Sequence, residues 1–149
     1  MVWAPRVTVA AVIERAGQFL MVEERVGGQT VFNQPAGHLE AGESLLEAIV
    51  REVLEETAHA FEPRGLVGIY RWETPDRRDT YLRFCFAGAV SQRPAQRNLD
   101  PDVVEIHWLD PTAIRRLEAS LRSPLVLRCL HDALSRPLTS LELLHEVPS

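Results

Sequence analysis

Lysine is absent from this sequence, and all 16 basic residues are arginine. The 21 acidic residues outnumber them, so the formal net charge is −5, which disfavours a protein that binds nucleic acid through its phosphates. The lack of lysine indicates no function by itself. It matters locally, because arginine presents a planar fork of donors that suits phosphate groups.

Cysteine is scarce, and long apolar runs are missing. Cys85 and Cys129 each lie among apolar residues, which predicts buried free thiols rather than a disulfide framework. No segment approaches the roughly 20 apolar residues that span a bilayer, and the N-terminal residues read as a strand rather than a signal peptide. We therefore expect no membrane partner and a cytoplasmic location.

The length and the local patterns predict one domain over residues 1–149, with an ordinary apolar fraction of 46%. Strands are predicted at residues 7–13, 19–22, 31–34, 66–72, 80–90 and 103–109, and helices at 44–56, 111–117 and 124–134. This mixture favours an α+β fold, an α/β/α sandwich with a mixed sheet flanked by helices, over a doubly wound parallel sheet.

The most informative segment is GHLEAGESLLEAIVREVLEET, residues 37–57, which reads as a loop followed by an amphipathic helix. Ser44 and Glu47 fit the S-x-x-E capping box, so the helix is predicted to begin near Ser44. One broad side of the helix carries six aliphatic residues and is expected to pack on the core: Leu45, Leu46, Ile49, Val50, Val53 and Leu54.

Three glutamates crowd the C-terminal end of this helix, largely outside the apolar side. Glu52, Glu55 and Glu56 are spaced so that their carboxylates project together. The negative end of the helix dipole disfavours each of them by roughly 0.3–1 kcal/mol. A hard divalent cation such as Mg²⁺ would reverse that balance. On spacing alone, a solvated acidic face remains the alternative.

The neighbouring residues favour the metal site. Gly37 and Gly42 flank a short loop that can fold tightly and present a backbone carbonyl beside the helix. Arg51 keeps its charge and can hold an adjacent glutamate ionised and oriented, and Glu43 lies two turns before it.

The spacing of these residues resembles the signature of the Nudix hydrolases. In that signature, a Gly is followed after five residues by Glu and, after seven more residues, by Arg-Glu, an aliphatic residue, any residue and Glu-Glu. The matching positions in this sequence are Gly37, Glu43, Arg51, Glu52, Val53, Glu55 and Glu56. The segments VTVAAVI, NQPAGHLEAGE and HWLDP are also similar to the family. VTVA, NQPAGHLEA and LRSPLV look most like its bacterial NudJ-type branch, whose members are phosphatases of nucleoside tri- and diphosphates and of thiamine-type pyrophosphates.

The signature's last Gly and aliphatic residue are replaced by Ala58 and His59. Glycine there would suit a left-handed helix terminus. Either Ala58 adopts that conformation at a cost on the order of 1 kcal/mol, or the helix ends in another way.

The resemblance implies hydrolysis of a phosphoanhydride in nucleoside di- or triphosphates or related small diphosphates, with Mg²⁺ as cofactor and Mn²⁺ as an alternative ion. It implies metal ligation by the Gly37 carbonyl with Glu52, Glu55 and Glu56. It also implies a catalytic group of Arg51, Glu52 and Glu55, with Glu52, Glu55 or a residue elsewhere in the chain as the base. Glu43 is expected to pair with Arg51 and support the loop. The alternative is a nucleotide-binding sensor module without catalysis.

Further site residues rest on weaker patterns. An additional acid is expected from Asp100, Asp102 or Glu105, each with a solvated surface acid as the alternative. Substrate contacts are expected from Asn33, Gln34, Tyr81 and Arg83, with Trp72 as a second ring for stacking. The alternatives are a turn for the first two, a surface arginine for Arg83 and half-buried aromatic rings. The expected partner is a small phosphorylated substrate, bound by a monomer or homodimer.

Overall fold

A computed structural model describes residues 2–149. The strands are β1 (Arg6–Arg15), β2 (Gln18–Val26), β3 (Gln29–Asn33), β4 (Ala36–His38), β5 (Phe61–Glu73), β6 (Thr80–Val90) and β7 (Val103–Leu109). The helices are α1 (Leu45–Thr57), α2 (Pro111–Arg116) and α3 (Leu125–Ser135), with short 3₁₀ turns at Glu118–Ser120 and Leu141–Leu143. None of the helices in this range is long and apolar enough to cross a membrane.

The strands form one mixed sheet in the order β3-β2-β1-β6-β5, with β4 beside β1 and β7 beside β2. β1 and β6 run parallel, and the other pairs are antiparallel. β1 pairs with β2 only at its last residues, so its middle is free to pair with β4. That pairing places Gly37 opposite Val9, a fully buried residue of β1.

Two hydrophobic cores lie on opposite faces of the sheet. Val9, Ala11 and Ile13 of β1 face α1, whereas Ala10 and Val12 face α2 and α3. β6 alternates in the same way, because Phe86 belongs to the first core and Cys85 to the second. This arrangement confirms the predicted sandwich. Cys85 and Cys129 are buried and free, as expected.

The predicted elements are present, but several bounds differ. β5 begins at Phe61 rather than residue 66, and β2 continues to Val26 rather than ending at residue 22. The interpretation of Gly37 as part of a loop was wrong, because it lies in the three-residue strand β4. So short a strand has no periodicity to read, and only its pairing with β1 defines it.

Both ends of α1 follow the sequence. The Ser44 hydroxyl accepts from the Glu47 N–H at 3.0 Å, and the Glu47 carboxylate accepts from the Ser44 N–H at 3.0 Å, which confirms the capping box. At the other end Ala58 is left-handed, with φ 60° and ψ 13°, and its N–H donates to Leu54. The first of the two predicted alternatives is therefore correct: Ala58 itself adopts the left-handed conformation.

The predicted core-facing side of α1 was partly wrong. Val50 is 37% exposed, whereas Glu52 and Glu56 are only 9% and 5% exposed. The helix packs against β1, β4 and β5, and this contact turns the two glutamates inward along with Ile49 and Val53. Tertiary packing thus buries two carboxylates that the pattern of apolar residues along the helix predicted to be exposed to solvent.

Candidate active site

Arg51 is the centre of the acidic cluster on α1. Its Nε and Nη2 donate to the two oxygens of Glu43 at 2.9 and 2.7 Å. Its Nη1 donates to Glu52 at 2.8 Å and to Glu55 at 3.2 Å, and Nη2 also reaches the His38 carbonyl. The hydrogen bond to Glu43 is the main cause that raises the pKa of Arg51, so the guanidinium stays charged. One cation therefore orders three carboxylates.

The Glu52 carboxylate lies directly against the backbone of Gly37. A Cβ at position 37 would overlap the carboxyl atoms of Glu52, so only glycine permits this approach. Burial raises the pKa of Glu52 to about 7, although the hydrogen bond and charge of Arg51 oppose the shift. The closeness of Gly37 and Glu52 depends on the pairing of β4 with β1.

Asp100 joins the helix glutamates from the loop before β7. Its N–H donates to the Glu55 carbonyl at 3.0 Å, which holds the loop against the end of α1. Oxygens of Glu52, Glu55 and Asp100 all lie within 4.8 Å of one another. Of the three candidate extra acids, the structure brings only Asp100 to the cluster: Asp102 is exposed, and Glu105 lies beside His107 instead.

Glu56 faces a different set of partners. Its carboxylate accepts from the Ala36 N–H at 2.7 Å and lies beside the carboxyl group of Glu24. Burial, followed by the interaction with Glu24, raises the pKa of Glu56 to about 10. Glu24 was missed because β2 was predicted to end at residue 22, two residues before Glu24. The acid pair Glu23-Glu24 within an extended strand was the available signal.

A cavity of about 310 Å³ opens beside Gly37 and Glu24. Tyr81 and Trp72 line it with their rings stacked on each other, at a centroid distance of 5.8 Å and an interplanar angle of 27°. Arg122 lies in the LRSPLV segment but was not predicted as a site residue. It also lines the cavity and lies 3.7 Å from Glu24. The cavity therefore combines aromatic faces, cationic donors and acids.

The expected substrate residues divide into two groups. Asn33, Tyr81 and Arg83 line the cavity. Gln34 is buried beneath it, and its amide is engaged at both ends: Nε2 donates to the Val126 carbonyl at 2.7 Å, and Oε1 accepts from Arg83 at 3.2 Å. The alternative of a surface arginine is wrong for Arg83, which is only 5% exposed.

An acidic helix whose carboxylates are ordered by one arginine, next to a cavity with arginines and aromatic rings, is typical of a hydrolase of small phosphorylated compounds. The family model for the NUDIX domain matches residues 4–129. The chain therefore belongs to the Nudix family, and it is a Nudix hydrolase.

Known relatives agree with this assignment. The chain is 42% identical over 138 residues to Phosphatase NudJ of Escherichia coli (strain K12), a match that covers 90% of this chain and 88% of that protein. A NUDIX hydrolase from Nitrosomonas europaea superposes with a TM-score of 0.93 at 45% identity, over 97% of this chain and 98% of that one. The match to Phosphatase NudJ confirms the resemblance to the NudJ-type branch, and the structural match confirms the Nudix fold.

The fold extends to more distant proteins. The NUDIX domain of Shewanella oneidensis NrtR, solved in complex with ADP ribose, superposes with a TM-score of 0.71 at 17% identity, over 90% of this chain and 91% of that one. At this identity the likeness concerns the fold alone.

Proposed function

We propose that this chain hydrolyses a phosphoanhydride bond in nucleoside di- or triphosphates or in related small diphosphates such as thiamine-type pyrophosphates. The observation that carries the proposal is the convergence of Glu52, Glu55 and Asp100 within 4.8 Å, next to the cavity. The similarity to Phosphatase NudJ over 90% of the chain supports a phosphatase activity of this kind.

The donor set fits Mg²⁺, with Mn²⁺ as the alternative ion. Carboxylate oxygens are the ligands that such hard cations prefer, and Glu52, Glu55 and Asp100 offer three that already lie together. We include the Gly37 carbonyl and Glu56 as further ligands of the same centre. When bound, the ion neutralises phosphate charge and lowers the pKa of a coordinated water.

The protein side chains supply orientation and proton transfer. Arg51 holds Glu52 and Glu55 in place, and Glu43 holds Arg51. The water oxygen attacks phosphorus, the bridging phosphorus–oxygen bond breaks, and the leaving phosphate takes the electron pair. Glu52 or Glu55 accepts the proton of the attacking water.

The cavity is the proposed binding site for the group attached to the diphosphate. Tyr81 and Trp72 offer ring faces to a base or another heteroaromatic ring, and Asn33 and Arg83 supply polar contacts. The partner is thus a small phosphorylated substrate, bound by a monomer or homodimer. Two buried free thiols, Cys85 and Cys129, support a reducing compartment such as the cytoplasm.

A substrate panel tests the proposal. Purified protein is incubated with ATP, CDP and thiamine diphosphate, with Mg²⁺ or with a chelator, and phosphate and pyrophosphate release are measured. We expect turnover with Mg²⁺ only, and its loss in Glu52→Gln. The matched control Glu62→Gln alters an exposed glutamate away from the cluster and should keep the wild-type rate.

Two outcomes would contradict hydrolysis. Folded protein that releases neither product from any member of the panel would overturn the proposal. Tight nucleotide binding measured on the same preparation, without turnover, would favour the sensor alternative.

A further inference from the structure

Two buried side-chain polar atoms in residues 2–149 have no hydrogen-bond partner, and both belong to residues that line the cavity. They are Asn33 Oδ1 and Arg83 Nε. Asn33 is only 7% exposed. A buried polar atom without a partner has lost its water contacts and gained nothing in return, so folding alone does not favour it. Unsatisfied atoms in residues that line a cavity point to a ligand that supplies the missing partners.

The chemistry of the two atoms defines those partners. An amide oxygen accepts a hydrogen bond, so Asn33 requires a donor on the ligand. A guanidinium nitrogen only donates, so Arg83 requires an acceptor. The ligand must therefore carry both a donor and an acceptor within the same cavity.

Residues behind the cavity hold the side chain of Arg83 in a fixed position. Its Nη1 donates to Gln34 at 3.2 Å and lies 3.9 Å from the Cys129 sulfur. Gln34 is in turn tied to α3 through its bond to the Val126 carbonyl. Since both ends of the Gln34 amide are used, Gln34 fixes the direction in which Arg83 donates. A fixed donor discriminates among ligands better than a mobile one.

The stacked rings add a shape requirement. Trp72 and Tyr81 line the same cavity as Asn33 and Arg83, and their ring planes differ by 27°. Such a surface accommodates a flat group better than a branched or globular one. Shape and hydrogen bonding together point to a planar ring with polar edge atoms.

We propose that Asn33 and Arg83 form a recognition subsite for the edge of a heteroaromatic ring on the substrate. Asn33 accepts from a ring donor such as an amino group, Arg83 donates to a neighbouring ring acceptor, and Gln34 is a positioning residue that acts through Arg83. The inference rests on the proposed hydrolase function and narrows its substrate class to diphosphates that carry such a ring.

The test compares a substrate that has a ring with one that does not. The specificity constant kcat/KM is measured with Mg²⁺ for CDP and for inorganic tripolyphosphate, using wild type, Asn33→Leu and Arg83→Met. We expect the wild type to prefer CDP and the ratio of the two constants to fall at least tenfold in each variant. Both constants come from one preparation, so a smaller folded fraction cancels in the ratio.

Gln34 is tested by a double-mutant cycle. Gln34→Met should lower the CDP preference when Arg83 is present and change it little in the Arg83→Met background, because Gln34 acts through Arg83. Gln92→Met, the same substitution at an exposed position, should leave the ratio at the wild-type value. Equal effects of Gln34→Met in both backgrounds would overturn the positioning role.

Failure of this subsite can be told apart from failure of the hydrolase proposal. Turnover by the wild type without a preference for CDP would overturn ring recognition and leave the hydrolase proposal intact. Equal losses of kcat/KM for both substrates in Arg83→Met would also overturn it, and would indicate that Arg83 binds phosphate. If neither substrate is turned over, the subsite is tested instead by measuring equilibrium binding of CDP and tripolyphosphate to the wild type and the same variants. Preferential CDP binding that both variants lose would support the subsite, and equal binding would overturn it.

Discussion

Arg51 binds the carboxylate of Glu43 through two parallel hydrogen bonds, Nε to Oε2 at 2.9 Å and Nη2 to Oε1 at 2.7 Å. The remaining terminal nitrogen, Nη1, is thereby directed at Glu52 and Glu55. Only a planar fork of donors can make both contacts at once, because a lysine ammonium is a single point charge. The geometry of the acidic cluster thus depends on the side-chain type as well as on its charge.

Arg51→Lys should disrupt the cluster without removing the positive charge. We expect the free energy of unfolding to fall by roughly 1–2 kcal/mol, because the paired hydrogen bonds to partly buried carboxylates are lost. We expect kcat to fall on the order of 100-fold, since Glu52 and Glu55 lose their orientation. Denaturant unfolding and steady-state kinetics measure the two effects.

The control for this substitution is Arg78→Lys. Arg78 lies 3.7 Å from Asp76 in a largely exposed pair, which contributes little to stability. Wild-type kinetics in Arg51→Lys would show that charge alone is sufficient and that the fork geometry is irrelevant.

The raised pKa values of Glu52 and Glu56 predict how stability depends on pH in metal-free protein. Both groups ionise near pH 4.5 when unfolded, but near 7 and 10 in the folded state. The folded state therefore holds protons that the unfolded state has lost, and the stabilising contribution of these groups is complete below pH 4.5. It declines as the pH rises to about 7 for Glu52 and to about 10 for Glu56.

We therefore expect the melting temperature of metal-free protein to fall between pH 5 and pH 9, and Glu56→Gln to flatten that slope. Added Mg²⁺ competes with the protons, so its stabilising effect should increase with pH. Calorimetry across this range measures both trends, with Glu62→Gln as an exposed control. A slope that Glu56→Gln leaves unchanged would contradict the assignment of Glu56 as a proton-holding group.

Gly37→Ala tests the close approach of Glu52 to the β4 backbone. The added Cβ would overlap the Glu52 carboxylate, so we expect this side chain to move and Mg²⁺ to lose most of its effect on the melting temperature. Gly65→Ala is the control for an overlap away from the cluster: the Cβ there would meet the side chain of Leu138, so we expect a lower melting temperature but the wild-type response to Mg²⁺. An undiminished Mg²⁺ response in Gly37→Ala would rule out Glu52 as a ligand.

Ala58→Gly should stabilise the protein. Ala58 is held at φ 60°, where an L-residue is strained and glycine is not. We expect a gain of about 0.5–1 kcal/mol, equivalent to a rise in melting temperature of roughly 2–4 °C for a chain of this size. Ala41→Gly, at an exposed position outside the left-handed region, should be neutral or destabilising. A lower melting temperature for Ala58→Gly would show that the lost methyl packing exceeds the relieved strain.

The sequence by itself was sufficient for features that depend on neighbours within a few residues. The capping box of Ser44 and Glu47 was predictable, as was the spacing of the three glutamates on α1, because helix geometry alone sets both. The alternation of side chains along a strand likewise separates Cys85 and Phe86 of β6 onto opposite faces of the sheet, although it does not say which core each one enters.

Tertiary structure decided which polar groups are buried and with whom they pair. The pairs Glu24 and Glu56, Glu55 and Asp100, and Gln34 and Arg83 are separated by 32 to 49 positions in the sequence. No local pattern predicts these pairings. Burial in turn sets the pKa values of the site, because it depends on what packs above a side chain rather than on the side chain's neighbours in sequence.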